Sequence, residues 1–544
     1  MKTSIGLGLT VLASVASLAA CSDSDASKLA GGSPGQDTPG APLPSDGNPD
    51  EPQPGESDGG TGSPSTPGAD ASSPEQPAEV PVLLASDVSI AHVAIFQGVK
   101  VSLVQNGQAV ANRNAPVVAG RPALVRVYVT PEVGAKSITA QLTLTSGGVA
   151  KPVVQHTKTI AAASTDDNLD STFNFEVAAA DLTTDTTFKI ALTATDGAEA
   201  TGASPARFPQ DGSLASLGAK RSGKLKVVVV PVQYNADGSG RMPDVSAAQL
   251  QRYKEVMMAR YPATDVEVTT RATVTSSIAI NAAGSGYSQM LTAIQQLRQS
   301  DGVASDVYYY GAVAPANSFN AFCGQSCVTG LSTVVESAST SVFRASVGMG
   351  FTGAIGSSTM AHELGHAHGR YHAPCGGPSG VDSSFPYADG TIGVWGYDIL
   401  AKTLFSPEAG HDMMSYCKNE WVSDYTFAAL FTRIAAVSPQ TASASLTTLV
   451  TTPRVWRFAD VAADGTLQWT HQLETSEALE GGDAHAVMFV DDADRVLANE
   501  TAHFYRYDHL PGGVLVVPQP PTGSAAARAF RSARIQGFAH QLTR

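Results

Sequence analysis

Two spacings of apolar residues divide the chain. Over residues 81–222 the period is two. Val125, Val127 and Val129 alternate with Leu124, Arg126 and Tyr128, and Ile138, Ala140, Leu142 and Leu144 alternate with Thr139, Gln141, Thr143 and Thr145. Phe188, Ile190 and Leu192 repeat the pattern, and Asn106-Gly107 between apolar runs signals a tight hairpin. Short strands without helical segments predict an antiparallel sandwich of immunoglobulin-like type. No Cys or Trp in this block marks an antibody-type core, so the expectation concerns architecture only.

At Leu225 the pattern changes. Residues 225–232 form a nearly continuous β-branched run, as in a strand buried on both faces. Residues 247–260 read as a helix through Leu250, Tyr253, Val256 and Met257, and Met290, Leu291, Ile294 and Leu297 mark another. Val266, Val268 and residues 307–310 supply further strands. Strand and helix in alternation predict an α/β block over residues 223–440. From about Leu446 strands return at 455–458, 467–469, 486–490 and 514–517, separated by Asp464-Gly465 and Pro511-Gly512-Gly513. They predict a second, smaller sandwich over residues 441–544. The expected fold class is therefore an α/β domain flanked by two all-β sandwiches.

Ahead of these blocks, Lys2 precedes a short apolar run that ends in Leu18-Ala19-Ala20-Cys21. The run is too short for a permanent membrane span of ~20 residues. It resembles a bacterial lipoprotein signal peptide, which implies removal of residues 1–20 and lipidation of Cys21. Ser22 after Cys21 resembles the signal for the outer membrane of diderm bacteria. An ordinary secretory signal is the alternative, and both readings export the chain. Residues 22–80 then hold eleven prolines, ten glycines and eleven acidic residues against the single basic Lys28. Such a stretch has almost nothing apolar to offset the entropy of ordering, and residues 21–80 read as a tether. The whole chain carries a formal charge of −15. That excludes a nucleic-acid partner, which requires a basic face.

The chemistry lies in His362-Glu363-Leu364-Gly365-His366-Ala367-His368-Gly369-Arg370-Tyr371-His372. Histidines four apart on a helix stack on one face and can hold one zinc ion, with Glu363 beside them placed to take a proton from water. Gly369 can end the helix in a left-handed turn and bring His372 to the same ion. Three neutral imidazoles leave one position open, the layout of a catalytic rather than a structural zinc site. Five of the 12 histidines fall between His362 and His411. His368 lies on another side of the helix and reads as a packing residue, and His411 reads as a loop residue.

These eleven residues match the zinc signature of the metzincin proteases, and Met414-Ser415-Tyr416 downstream resembles that family's methionine turn. The resemblance implies that Met414 floors the three imidazoles, and that the Tyr416 hydroxyl lies near the zinc and steadies an oxyanion. The all-β flanks and export are loosely similar to secreted mucin-cleaving metzincins. If both elements converge on one zinc, Cys375 and Cys417 are neighbours. The expected disulfides are then Cys375 to Cys417 and Cys323 to Cys327; a second zinc on four thiolates is the alternative. Residues 330–335 and 345–351 stand where such a fold places its cleft-edge strand, which can pair with an extended substrate. Tyr387, Trp395 and Tyr397 are candidates for a pocket wall or for loop packing.

The sequence thus points to a zinc endopeptidase with catalytic Glu363 and Tyr416, one Zn²⁺ on His362, His366 and His372, and a protein or glycoprotein substrate. It would be lipid-anchored at the bacterial outer membrane or cell surface, touching membrane only through its lipid. The alternatives are a surface-binding lipoprotein, an adhesin for glycans or proteins with a vestigial zinc site, and a zinc hydrolase acting on something other than protein.

Overall fold

The alternating segments of the first block form two facing antiparallel sheets, one of eight strands and one of five. Lys136–Ser146 and Thr187–Thr193 pair at the centre of the first; Val88–Phe96 and Ala123–Pro131 pair at the centre of the second. Ile138, Leu142 and Ile190 from one sheet meet Val93, Val125 and Val127 from the other in a common core. The Asn106-Gly107 hairpin forms with both residues at positive φ. Ala123–Pro131 departs from simple alternation because it is buried on both faces. On its outer side Leu124 and Tyr128 cluster with Phe96 under Tyr397, and Arg126 is left fully buried.

This architecture comes from a computed structural model that describes residues 83–132, 134–199, 202–438, 452–479 and 481–544. The signal segment 1–20, Cys21 and the tether lie outside the described residues. Among the described residues no helix is long and apolar enough to cross a membrane.

Residues 225–349 build a six-stranded sheet. Val266–Thr270, Leu225–Tyr234, Val307–Val313 and Ala345–Met349 run parallel, and Gly330–Ser332 is added antiparallel at one edge. Each face is covered by helices, as expected of parallel strands with apolar residues on both sides. Ala247–Arg260 and Ala354–Ala367 pack Tyr253, Met257, Met360 and Leu364 against one face. Tyr287–Ser300 packs Met290, Leu291 and Ile294 against the other. Helix Asp424–Val437 joins this layer to the sandwich, giving Leu430 and Ile434 to one core and Phe427 and Phe431 to the other.

The C-terminal block corrects an expectation. Instead of a two-sheet sandwich it is one seven-stranded antiparallel sheet. The sheet curls until its edge strands Leu467–Thr475 and Leu542–Thr543 approach, where Trp469 Nε1 donates to the Thr543 carbonyl at 2.8 Å. Strand Gly513–Pro518 shows the reason, because every one of its residues is buried. Leu515 and Val517 fill the inside of the curl, while Val514 and Val516 face the α/β layer with Trp456, Phe458 and Tyr505. The α/β sheet and its helix therefore serve as the second layer. Tyr505 lies 4.6 Å from Phe343, ring to ring, in that shared core.

Candidate metal centre

Helix Ala354–Ala367 carries His362 and His366 one turn apart. It stops where Gly369 takes φ +83°, with the Gly369 amide donating to the His366 carbonyl (2.8 Å) and the Arg370 amide to the Gly365 carbonyl (3.0 Å). This is a Schellman cap. A Cβ on Gly369 would also stand 2.7 Å from the Val335 carbonyl, so both backbone angle and space require glycine. The turn has two products. It returns His372 to the helix, and it aims the Arg370 carbonyl at His366.

Each of the three imidazoles donates its Nδ1–H to a backbone carbonyl: His362 to Met413 (2.7 Å), His366 to Arg370 (2.6 Å) and His372 to Ser379 (2.6 Å). The Nε2 atoms consequently present bare lone pairs, and these converge. His366 Nε2 lies 3.1 Å from that of His362 and 3.2 Å from that of His372. Burial holds His362 down to about 3 and the other two well below the usual histidine range, so all three are neutral. Three lone pairs at that separation repel unless a cation lies among them, and oriented neutral imidazoles are the form in which histidine binds a metal ion. The donor set fits a metal ion.

The methionine segment packs against the same helix. A Cβ on Gly365 would come within 2.4 Å of Met414 Sδ, so the thioether packs directly against the helix that bears the histidines. Buried Asp412 holds the turn, accepting from the Met414 amide (2.9 Å) and the Ser423 amide (2.8 Å). The Ala373 amide donates to the Met414 carbonyl (3.0 Å) and the Tyr416 amide to that of Cys375 (3.0 Å). Cys375 and Cys417 form a disulfide beside this pairing, with Cα atoms 5.7 Å apart, and Cys323 pairs with Cys327. The Tyr416 ring stands 5.0 Å from that of His372. His368 is directed elsewhere, stacked on Tyr308 at 4.2 Å, and His411 bonds to the Lys418 carbonyl. Tyr397 and Trp395 pack on the sandwich, and Tyr387 bonds to Asp424, so loop packing is their role.

Glu363 is fully buried beside the histidines. Gly330 makes room for it, since a Cβ there would meet Glu363 Oε1 at 2.4 Å. Burial pushes its carboxyl up to about 8. A cleft leads to the centre between Phe319, Val328, Ile355, His362 and Tyr416.

Two residues at this centre have no counterpart in the sequence motifs. Asp508 and His509 lie in the turn between strands Val496–Arg506 and Gly513–Pro518. His509 Nε2 is 3.0 Å from Glu363 Oε1, and its Nδ1 bonds to the Tyr416 hydroxyl. One of its ring nitrogens falls within 4.8 Å of a ring nitrogen of each of His362, His366 and His372. Asp508 Oδ2 lies 3.3 Å from His366 Nε2. The cleft edge also differs from expectation. Ser332–Val334 is covered: the Val334 amide donates to the Arg506 carbonyl (3.2 Å), the Asp508 amide to that of Ser332 (3.4 Å), and Thr333 bridges to Tyr507. The only sequence signal was an Asp-His pair in a glycine-rich turn of a histidine-poor chain.

No protein-family profile matches the chain, and no curated protein sequence is significantly similar to it.

Proposed function

We propose that the chain is a zinc-dependent endopeptidase of metzincin type. The observation that carries this reading is the convergence of three neutral imidazoles, each oriented by a carbonyl, beside a buried carboxylate that is not one of the three donors. Zinc suits three nitrogen donors, and when bound it supplies a Lewis acid that polarises a carbonyl and acidifies water. Glu363 is placed to accept a proton from water and return it to the leaving nitrogen, and a raised carboxyl pKa suits a group that must both take and give. Tyr416 keeps its proton, because burial and nearby acids raise its pKa, and so can donate to a developing oxyanion. A surface adhesin with a vestigial site has no need of this carboxylate. The signal-like N-terminus supports export and lipid anchoring, which places the substrate among extracytoplasmic proteins or glycoproteins.

Glu363→Gln tests the reading. The variant should keep one equivalent of zinc by metal analysis and lose at least ~10²-fold in the rate of cleaving a denatured protein. Unchanged turnover would remove Glu363 from the mechanism, and loss of the metal would make it a ligand.

A further inference from the structure

Asp508 and Glu363 each carry one buried carboxyl oxygen that accepts from no N–H or hydroxyl, and the two carboxyls lie against each other. Asp508 Oδ1 accepts from the Ser332 amide (3.1 Å) and its own neighbour's amide (2.7 Å). Its Oδ2 accepts from no N–H or hydroxyl, although the side chain is fully buried; around it stand His366 Nε2 at 3.3 Å, His509 Nε2 at 3.4 Å and the Glu363 carboxyl. That atom is directed at the histidines. Metal bonds of ~2.0–2.1 Å in a tetrahedron set neighbouring donor atoms about 3.3 Å apart. The separations among the imidazoles are 3.1 and 3.2 Å, and that from Asp508 Oδ2 to His366 Nε2 is 3.3 Å. Asp508 Oδ2 thus stands at ligand spacing from His366.

His509 acts on the groups around that set. Its ring stacks on His362 (5.2 Å, 19°), with one nitrogen against Glu363 and the other against Tyr416. The groups proposed to take a proton and to hold an oxyanion are thus bonded to one side chain of the same chain. The backbone agrees, because Arg506–Asp508 lies along Ser332–Val334, the edge an extended substrate would use. Leu510 anchors the turn over Gly284, where a Cβ would come within 2.5 Å of it, and Ser379 Oγ donates to the Asp508 carbonyl (3.2 Å).

We infer that the turn Tyr507–Gly512 is a built-in latch: Asp508 is a fourth protein ligand that closes the metal centre, and His509 occupies Glu363 and Tyr416, so the folded chain is a latent form. Opening requires the residues after Tyr507 to leave Ser332, since Tyr507 itself sits in the shared core and bonds to Asp460. The body of the C-terminal sheet shares its core with the α/β layer through Trp456, Phe458 and Tyr505 and stays docked. The inference rests on the peptidase reading for what is shut, but not for the closure itself.

The test uses the full chain loaded with Co²⁺, whose visible spectrum reports coordination, and acetohydroxamate as a small metal-binding probe. In the wild type the probe should leave the band unchanged. In the Asp508→Ala, His509→Ala double variant it should shift the band, and casein cleavage should rise by at least ~10-fold. Leu510→Asp, which touches neither group, should move both readouts in the same direction and serves if the double variant does not fold. Equal response of wild type and variant to the probe would overturn the latch. So would a double variant that keeps its metal and cleaves more slowly, since the turn would then be working machinery. A probe response confined to the variants, with no cleavage by any of them, would leave the latch standing and remove the peptidase reading.

Discussion

Two clusters of ionisable groups, one half-buried in the sandwich and one buried at the candidate metal centre, both hold a carboxylate and a tyrosine but have opposite electrostatics. In the sandwich, Asp166 accepts from Lys100 Nζ at 2.7 and 2.8 Å and from the Tyr128 hydroxyl at 2.6 Å. Arg126 beside it donates to the carbonyls of Asp166, Thr165 and Asn168. Burial works against the Asp166 carboxylate, but the hydrogen bonds and charge of Lys100, with Tyr128, outweigh it and hold the pKa below the usual range. At the metal centre, no Lys or Arg meets Glu363 or Asp508 among the described residues. Burial drives both carboxyls up; Glu363 pushes Asp508 up further, while the hydrogen bond between them works the other way on Glu363. The first cluster pairs its carboxylate with cations of its own and orders a loop. The second is a set of donors short of a cation, which is the signature of a site that binds something.

The contrast yields tests, of which removing a donor should have the largest effect. His366→Ala should abolish metal binding, taking the content from one ion per chain to near zero and activity with it, while the fold persists by circular dichroism. Retained stoichiometric metal would mean the three imidazoles are not the donor set. The disulfide comes next, because it ties the third histidine's strand to the methionine turn. The chain-entropy relation for cysteines 42 apart gives an upper figure of ~4 kcal/mol. Cys375→Ser with Cys417→Ser should lower Tm and release the metal faster to a chelator, and an unchanged release rate would separate the bridge from the centre.

The internally paired cluster should respond to a different perturbation. Asp166→Ala leaves Lys100 and Arg126 without their carboxylate and should cost about 2 kcal/mol, less than a wholly buried pair because the Asp166 side chain is 32% exposed. Metal content should not change. Since the folded-state pKa of Asp166 is depressed, its stabilisation is complete above the unfolded value near ~3.9 and fades as pH falls through the folded one. The Tm gap between variant and wild type should therefore be constant at neutral pH and narrow below about pH 4; a constant gap down to pH 2 would contradict the assignment. The smallest effect belongs to the histidine that lies inside the motif but outside the centre. His368→Phe keeps the stack on Tyr308 and loses one bond to the Leu364 carbonyl, for about 1 kcal/mol, with metal and turnover intact.

The elements with strong local signals were legible. Helix Ala247–Arg260 begins behind a Ser246 cap and carries its apolar face at helical spacing, and the donor histidines share one helix and one glycine turn, so local geometry alone brings them together. Cys375 and Cys417 could be paired once two local motifs were assumed to meet. The C-terminal block was misjudged because a continuous apolar run such as Val514 to Val517 tells that a strand has two apolar faces without telling what covers each. The outer face of Ala123–Pro131 was hidden for the same reason, its cover being supplied by Tyr397 from far along the chain.

By itself the sequence determined the three metal-facing histidines, Glu363 beside them, the glycine that turns the chain and the strand periodicity of the outer blocks. These depend on backbone rules that act over a few residues. Only the tertiary structure decided that Asp508 and His509 enter the centre, that the cleft edge is already paired, and that one curled sheet uses the α/β layer as its partner. Those outcomes depend on which surfaces meet across 93 residues between Tyr416 and His509. A contact made at that separation is set by shape and burial of the assembled layers, and it leaves no spacing in the chain to be read.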